Sequence, residues 1–262
     1  MKALTIPLAL LAACNRQAEA PPANDTAPAP AVKPAAPAPK AFVHDEKSDL
    51  IEFHYAWSVE AAAVPQLVAR FRKDMEKAKA ELIADAREDK AFREKQGFDF
   101  NGHNLSTDYR TAGQSTRLLS LSADSGSYTG GAHGNYGTRG LLWDRQAARE
   151  IKVADLFFAP SNLDRLLTQR WCDELNEARE EKRGEPVGGD AMFDECPTLD
   201  QIAIIPTDDR GNGRFEMLVL VASPYVAGPY AEGSYDIELK VTPELIAALK
   251  IDYRASFEVQ PQ

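Results

Sequence analysis

The hydrophobic period changes at Gly97, and no other feature limits the architecture of this 262-residue chain as strongly. Upstream, from about Glu60, Val64, Leu67, Phe71, Met75 and Leu82 recur at three- and four-residue spacing, which makes one apolar stripe on a helix. The nearly all-charged stretch Asp85 to Lys95 reads as a solvated continuation, and Gly97 as its stop. Downstream the period is two: segments such as "NLSTDYRTA" and "TRLLSLSADSGSY", punctuated by Asn-Gly and Ser-Gly, predict an antiparallel meander. A strand also precedes the helix, because Ile51, Phe53, Tyr55 and Trp57 alternate with Leu50, Glu52, His54 and Ala56.

Further along, Ser161 with Asp164 three residues later has the form of a capping box, and Leu163, Leu166, Leu167, Trp171 and Leu175 supply a helical stripe behind it. Arg214 to Ala222 is apolar on both faces apart from Glu216, as a central strand requires. Tyr235, Ile237, Leu239 and Val241 alternate inward, and Thr242-Pro243-Glu244 opens a short helix. The expected class is α+β: antiparallel sheets with helices packed on one face, arranged as two small modules at 41–115 and 116–262. Asp208 and Asp209, in "PTDDRGNGRF", read as solvated turn acids rather than a carboxylate dyad.

The chain opens on "MKALTIPLALLAAC", whose apolar run is too short for a bilayer span of about 20 residues and fits a leader peptide. Leu11-Ala12-Ala13-Cys14 resembles the bacterial lipobox, which implies cleavage after residue 14's predecessor and a lipid on Cys14. Residues 15–40 are dominated by Ala and Pro and lack periodicity, so they are expected to act as an extended tether. Asn15 is not the aspartate that signals inner-membrane retention, so the expected location is periplasm-facing, lipid-anchored and at the outer membrane, with membrane contact through the lipid alone. With Cys14 so used, Cys172 and Cys196 remain as a pair, and in an oxidising compartment a disulfide is the expectation.

The chain holds 30 Lys and Arg against 40 Asp and Glu; four bases and two acids fall in residues 1–40, leaving 26 against 38, a net −12 for the rest. That balance excludes nucleic acid as the natural partner and favours a basic one.

"YTGGAHGNYG", residues 128–137, looks like a ligand loop and fails each test of one. A phosphate cradle or dinucleotide fingerprint needs a helix after the glycines, whereas a strand follows here. A metal centre needs converging ligands, and His44, His54 and His103 lie in unrelated segments from His133, so neither metal nor cofactor is expected. The chain has no Gly-x-Ser-x-Gly elbow. What remains is backbone geometry, with Gly130, Gly131 and Gly134 permitting positive φ between strands.

The segment "YTGGAHGNYGTRGLLWDRQAAREIKVADLF" resembles the signature of the RsiV/PdaC-like extracytoplasmic domains, and "SPYVAGPYAEGSYDIELKV" is similar to that family's second, Tyr-rich motif. The resemblance covers residues 116–250 well and 41–115 in outline. It implies an extracytoplasmic α+β pair of modules, and, from members that sense lysozyme or accompany a peptidoglycan deacetylase, binding of a basic lysozyme-like wall-active protein or of peptidoglycan. Neither anti-sigma nor deacetylase activity carries over. The residues expected to make contact are Tyr128, His133, Asn135, Tyr136, Tyr225 and Tyr230, since aromatic groups in turns are frequent anchors. The alternative is a wall-directed hydrolase or esterase using His133 with a nearby Ser or acid.

Overall fold

The structure is a computed structural model that describes residues 38–188 and 193–260. The expected leader at 1–14, the lipid site at Cys14 and all of the tether except residues 38–40 lie outside the described residues.

β1 (Phe42–Lys47) and β2 (Ile51–Trp57) pair antiparallel at one edge of a six-stranded sheet. A one-turn helix α1 (Val59–Ala62), capped by the Ser58 hydroxyl, leads into α2 (Pro65–Gln96). The long helix therefore begins at Pro65 rather than near Glu60, because Pro65 takes the first helical position and breaks the run from α1. It stops at Gly97, whose φ of 74° is the left-handed conformation that glycine adopts without cost. The charged stretch predicted as a solvated continuation is helical to Gln96.

β3 (His103–Gln114), β4 (Leu118–Tyr128), β5 (Asn135–Asp144) and β6 (Arg149–Ile151) then run as an antiparallel meander, in spatial order β1-β2-β3-β4-β5-β6. The sheet is mixed, not purely antiparallel as expected, because β2 and β3 pair parallel. The physical reason is the connection: two strands joined through a crossover helix such as α2 return in the same direction.

β4 and β5 form a wall shared by two cores. Leu119, Leu121, Leu141 and Trp143 pack with Phe53, Trp57 and Phe71 under α2, while Leu118 and Leu142, on the opposite face, join a second core. That second core holds α3 (Ser161–Arg183) and a three-stranded antiparallel sheet of β7 (Ala203–Thr207), β8 (Met217–Ala222) and β9 (Tyr235–Lys240), with β8 central. The boundary expected at 115/116 falls in the turn between β3 and β4, and sheet pairing continues across it. Residues 38–260 belong to one compact unit.

One local reading changes. Ser161 is not a capping residue: Pro160 already has helical dihedrals (φ −53°, ψ −34°), so Ser161 lies inside α3 and no side chain caps the helix. By contrast Thr242 does cap α4 (Pro243–Ala248), its hydroxyl accepting from the Leu245 amide. Glu216, the polar exception before β8, is fully buried and accepts from the amides of Asp209 and Arg210 at 3.0 and 3.2 Å, which closes the turn between β7 and β8. Asp208 holds the same turn through the amides of Asn212 and Gly213.

Candidate binding surface

The Gly-rich segment is the turn between β4 and β5, and the Tyr-rich segment is the connection from β8 to β9. Gly130 and Gly131 take φ of 95° and 110°, as read from the sequence; Gly134 does not, and its role is close approach, since a Cβ there would lie 2.8 Å from the Ser127 carbonyl. The two segments meet where β5 passes the end of β8, with the Ser223 hydroxyl accepting from the Thr138 amide at 3.2 Å.

His133 stacks on Tyr230 with ring centroids 3.7 Å apart and planes 18° from parallel. Tyr225 and Tyr136 flank Tyr230, each at 5.8 Å, the first tilted and the second edge-on. His133 Nδ1 lies 2.8 Å from the Gly134 carbonyl, which can only accept, so Nδ1 carries the proton and Nε2 accepts from the Tyr225 hydroxyl at 3.3 Å. Tyr136 and Tyr225 remain 47% and 53% exposed, large values for tyrosines packed in a ring cluster. Four of the six residues singled out in the sequence thus share one surface. Tyr128 instead braces the turn by donating to the Gly131 carbonyl at 3.1 Å, and Asn135 opens β5 opposite Ser127.

The connection bearing Tyr225 and Tyr230 is held from beneath by α3. Arg179 is fully buried and donates twice to the Ala227 carbonyl (3.0 and 2.8 Å), and also to the carbonyls of Asp194 and Glu195. One turn on, Arg183 grips both oxygens of Glu232 and one of Asp194. Burial pushes the Glu232 carboxyl up, but hydrogen bonds from Arg183 and Tyr235 outweigh it and hold the carboxyl below its ordinary value. Burial and the same carboxylate push the Tyr235 phenol up to about 12. Lys182 donates to the carbonyls of Glu232 and Ser234 and lies over the Tyr235 ring. The Cys172–Cys196 disulfide, as expected, ties α3 to the segment that Arg179 binds, and Trp171 adds a bond to the Pro197 carbonyl at 2.9 Å.

These supports were missed in the sequence, where "NEAREEKR" reads as the charged end of a helix. The signal was present: Leu163, Leu167, Trp171 and Leu175 step by four, and the next step lands on Arg179, a core position occupied by a cation.

Both ring nitrogens of His133 are engaged, and the nearby Ser125 hydroxyl donates to the Gly137 carbonyl. The other three histidines lie beside acids elsewhere, His44 by Glu46, His54 by Asp45 and the buried His103 by Asp89. No group of three or more potential metal ligands occurs among the described residues. No described helix is long and apolar enough to cross a membrane. A separate cleft of about 520 Å³, bounded by β6, the start of α3 and residues 199–204, is not lined by the four rings.

Residues 44–136 match the family model described as deacetylase PdaC. This segment is PdaC-like. The match runs from β1 through the Gly-rich turn to Tyr136, so it covers the part that the motifs matched only in outline and ends before the Tyr-rich connection. The PdaC-like segment therefore supplies His133 and Tyr136, while Tyr225 and Tyr230 come from outside it. The chain also resembles two solved structures. One, a DUF3298-family member from Bacteroides fragilis, is 17% identical over 83% of this chain and 95% of that one, with a TM-score of 0.47. The other, a DUF3298-family protein from Pseudomonas aeruginosa, is 15% identical over 82% of this chain and 94% of that one, at 0.46. No curated protein matches the chain.

Proposed function

We propose that this chain is a non-catalytic binding module of the cell envelope, anchored by a lipid on Cys14 and held off the membrane by residues 15–40, facing the periplasm. Its ligand is a cationic wall-active protein of lysozyme type or peptidoglycan. The observation that carries the reading is the meeting of two Tyr/Gly-rich segments, about ninety residues apart, on one exposed aromatic face. Exposed tyrosines give contact area at low entropic cost, and a rigid support beneath them avoids the penalty of ordering the site on binding. The net charge of −10 supports a basic partner, because complementary charge speeds encounter.

The test is retention of lysozyme and of purified wall sacculi by the immobilised chain at low and high salt, with Tyr225→Ala as the comparison. Retention of either that drops with the substitution is expected. If neither ligand is retained, or if Tyr225→Ala retains both as well as the parent, the reading is wrong.

A further inference from the structure

The cleft of about 520 Å³ between β6, the start of α3 and residues 199–204 shares no lining residue with the aromatic face. Its size falls in the range of roughly 300–1,000 Å³ in which small-molecule sites are found. Leu142, Ile151, Val153, Leu163 and Leu199 are buried side chains that line it, and the half-buried Ile204 completes an aliphatic floor. Gly140 sets how near β7 lies to β5: a Cβ there would stand 2.9 Å from the Ile204 carbonyl oxygen, so a larger residue would push β7 away and reshape the cleft. No aromatic side chain lines it among the described residues, so the floor holds a hydrocarbon chain by removing it from water rather than by stacking.

Charge decides the other end of the ligand. Three acids (Glu150, Asp164, Asp200) and two bases (Arg139, Lys152) line the cleft, an excess of one negative charge. Two of the acids already have cations. Glu150 lies 3.7 Å from Arg139 and also pairs with Arg70. The Thr198 hydroxyl and, with less effect, the charge of Lys152 hold the Asp200 carboxyl below its ordinary value. Asp164, exposed in the first turn of α3, has neither a hydrogen bond to its carboxylate nor an ion pair among the described residues. The start of α3 offers an anion little in return, since the Asn162 and Leu163 amides donate to the Ala159 and Pro160 carbonyls at 2.9 and 3.0 Å. A ligand that meets both the floor and the unbalanced carboxylate is an aliphatic chain ending in one positive charge.

From this we infer that the cleft binds a small alkylammonium ligand, its chain on Leu142, Ile151 and Leu199 and its ammonium beside Asp164. The site goes beyond the binding reading above and uses none of its residues, so either stands if the other fails.

The experiment titrates the full chain with octylamine, hexylamine and octanoate by calorimetry, and follows octylamine by amide NMR shifts. Saturable binding of octylamine is expected, with the largest shifts at Ile151, Ser161 and Leu199. Hexylamine, two methylenes shorter, should bind about tenfold more weakly, and octanoate, which reverses the charge, about fivefold more weakly. Asp164→Asn, at an exposed position, should weaken octylamine about threefold and narrow its advantage over octanoate. Ser161→Trp brings an indole into the cleft from an exposed position and should abolish binding. Melting temperatures identify a variant that fails to fold, and the NMR shifts locate the ligand without any substitution. No saturable binding of octylamine overturns the inference. Octanoate binding as tightly as octylamine overturns it too, since the carboxylate then does not select the ligand. Octylamine binding that both variants preserve, or whose shifts fall away from the cleft, places the amine at another site and likewise overturns it.

Discussion

Arg179→Leu tests whether the aromatic face depends on a buried cation. Leucine keeps most of the apolar stem, so the packing of the fully buried side chain is largely retained and the lost hydrogen bonds dominate. The Ala227 carbonyl loses two donors in a fully buried site, at about 2 kcal/mol, and the half-buried carbonyls of Asp194 and Glu195 lose one each, at about 1 kcal/mol apiece. Relief of the guanidinium's own desolvation, which draws the Arg179 pKa down, acts in the opposite direction. The expected net loss is about 3 kcal/mol, a large part of the 5–15 kcal/mol typical of a folded domain. In urea, with a slope of about 2 kcal/mol per M, the midpoint should fall by about 1.5 M, followed through Trp171, which lies two turns earlier on the same helix. Arg179→Leu should also broaden the NMR signals of Tyr225 and Tyr230, because their connection has lost its support. A variant within about 0.5 kcal/mol of the parent, with those signals sharp, would refute the argument that Arg179 holds the connection in place.

Cys172→Ser with Cys196→Ser should cost roughly 3 kcal/mol by reopening a loop of 24 residues' separation, read as a lower melting temperature that reducing agent reproduces in the parent. Tyr225→Gly should leave stability unchanged or raise it by up to about 1 kcal/mol, since glycine accepts φ 71° freely, while ligand binding falls; equal losses of both would show that the ring is structural. Because the folded-state pKa of Glu232 is depressed, its contribution is fully present above the unfolded value near 4.5 and is lost as pH falls through the folded value. Urea midpoints measured from pH 7 down to pH 3 should therefore drop more in the parent than in Glu232→Gln, and identical profiles would remove Glu232 from the acid response.

Elements whose cause lies within a few residues were legible. The alternation of Ile51 to Trp57, the stop at Gly97 and the Thr242 cap each depend on neighbours along the chain, and each is found where it was read. The Ser161 cap was misread because the preceding Pro160 already has helical dihedrals, so the helix starts earlier than the motif implies. The candidate surface was half legible: glycine and tyrosine density flagged both segments, while their support by Arg179 and Arg183 lay in residues whose charge suggested solvent.

The sequence by itself determined which face of each strand and helix is apolar, since that follows from side-chain period alone. Tertiary structure decided what covers those faces. It set β2 parallel to β3, made β4 and β5 a wall between two cores, and brought His133 onto Tyr230 from ninety-seven positions away along the chain. The reason is that period fixes a direction relative to one element's own axis, whereas contact between distant segments depends on how several elements jointly exclude water, which no local spacing encodes.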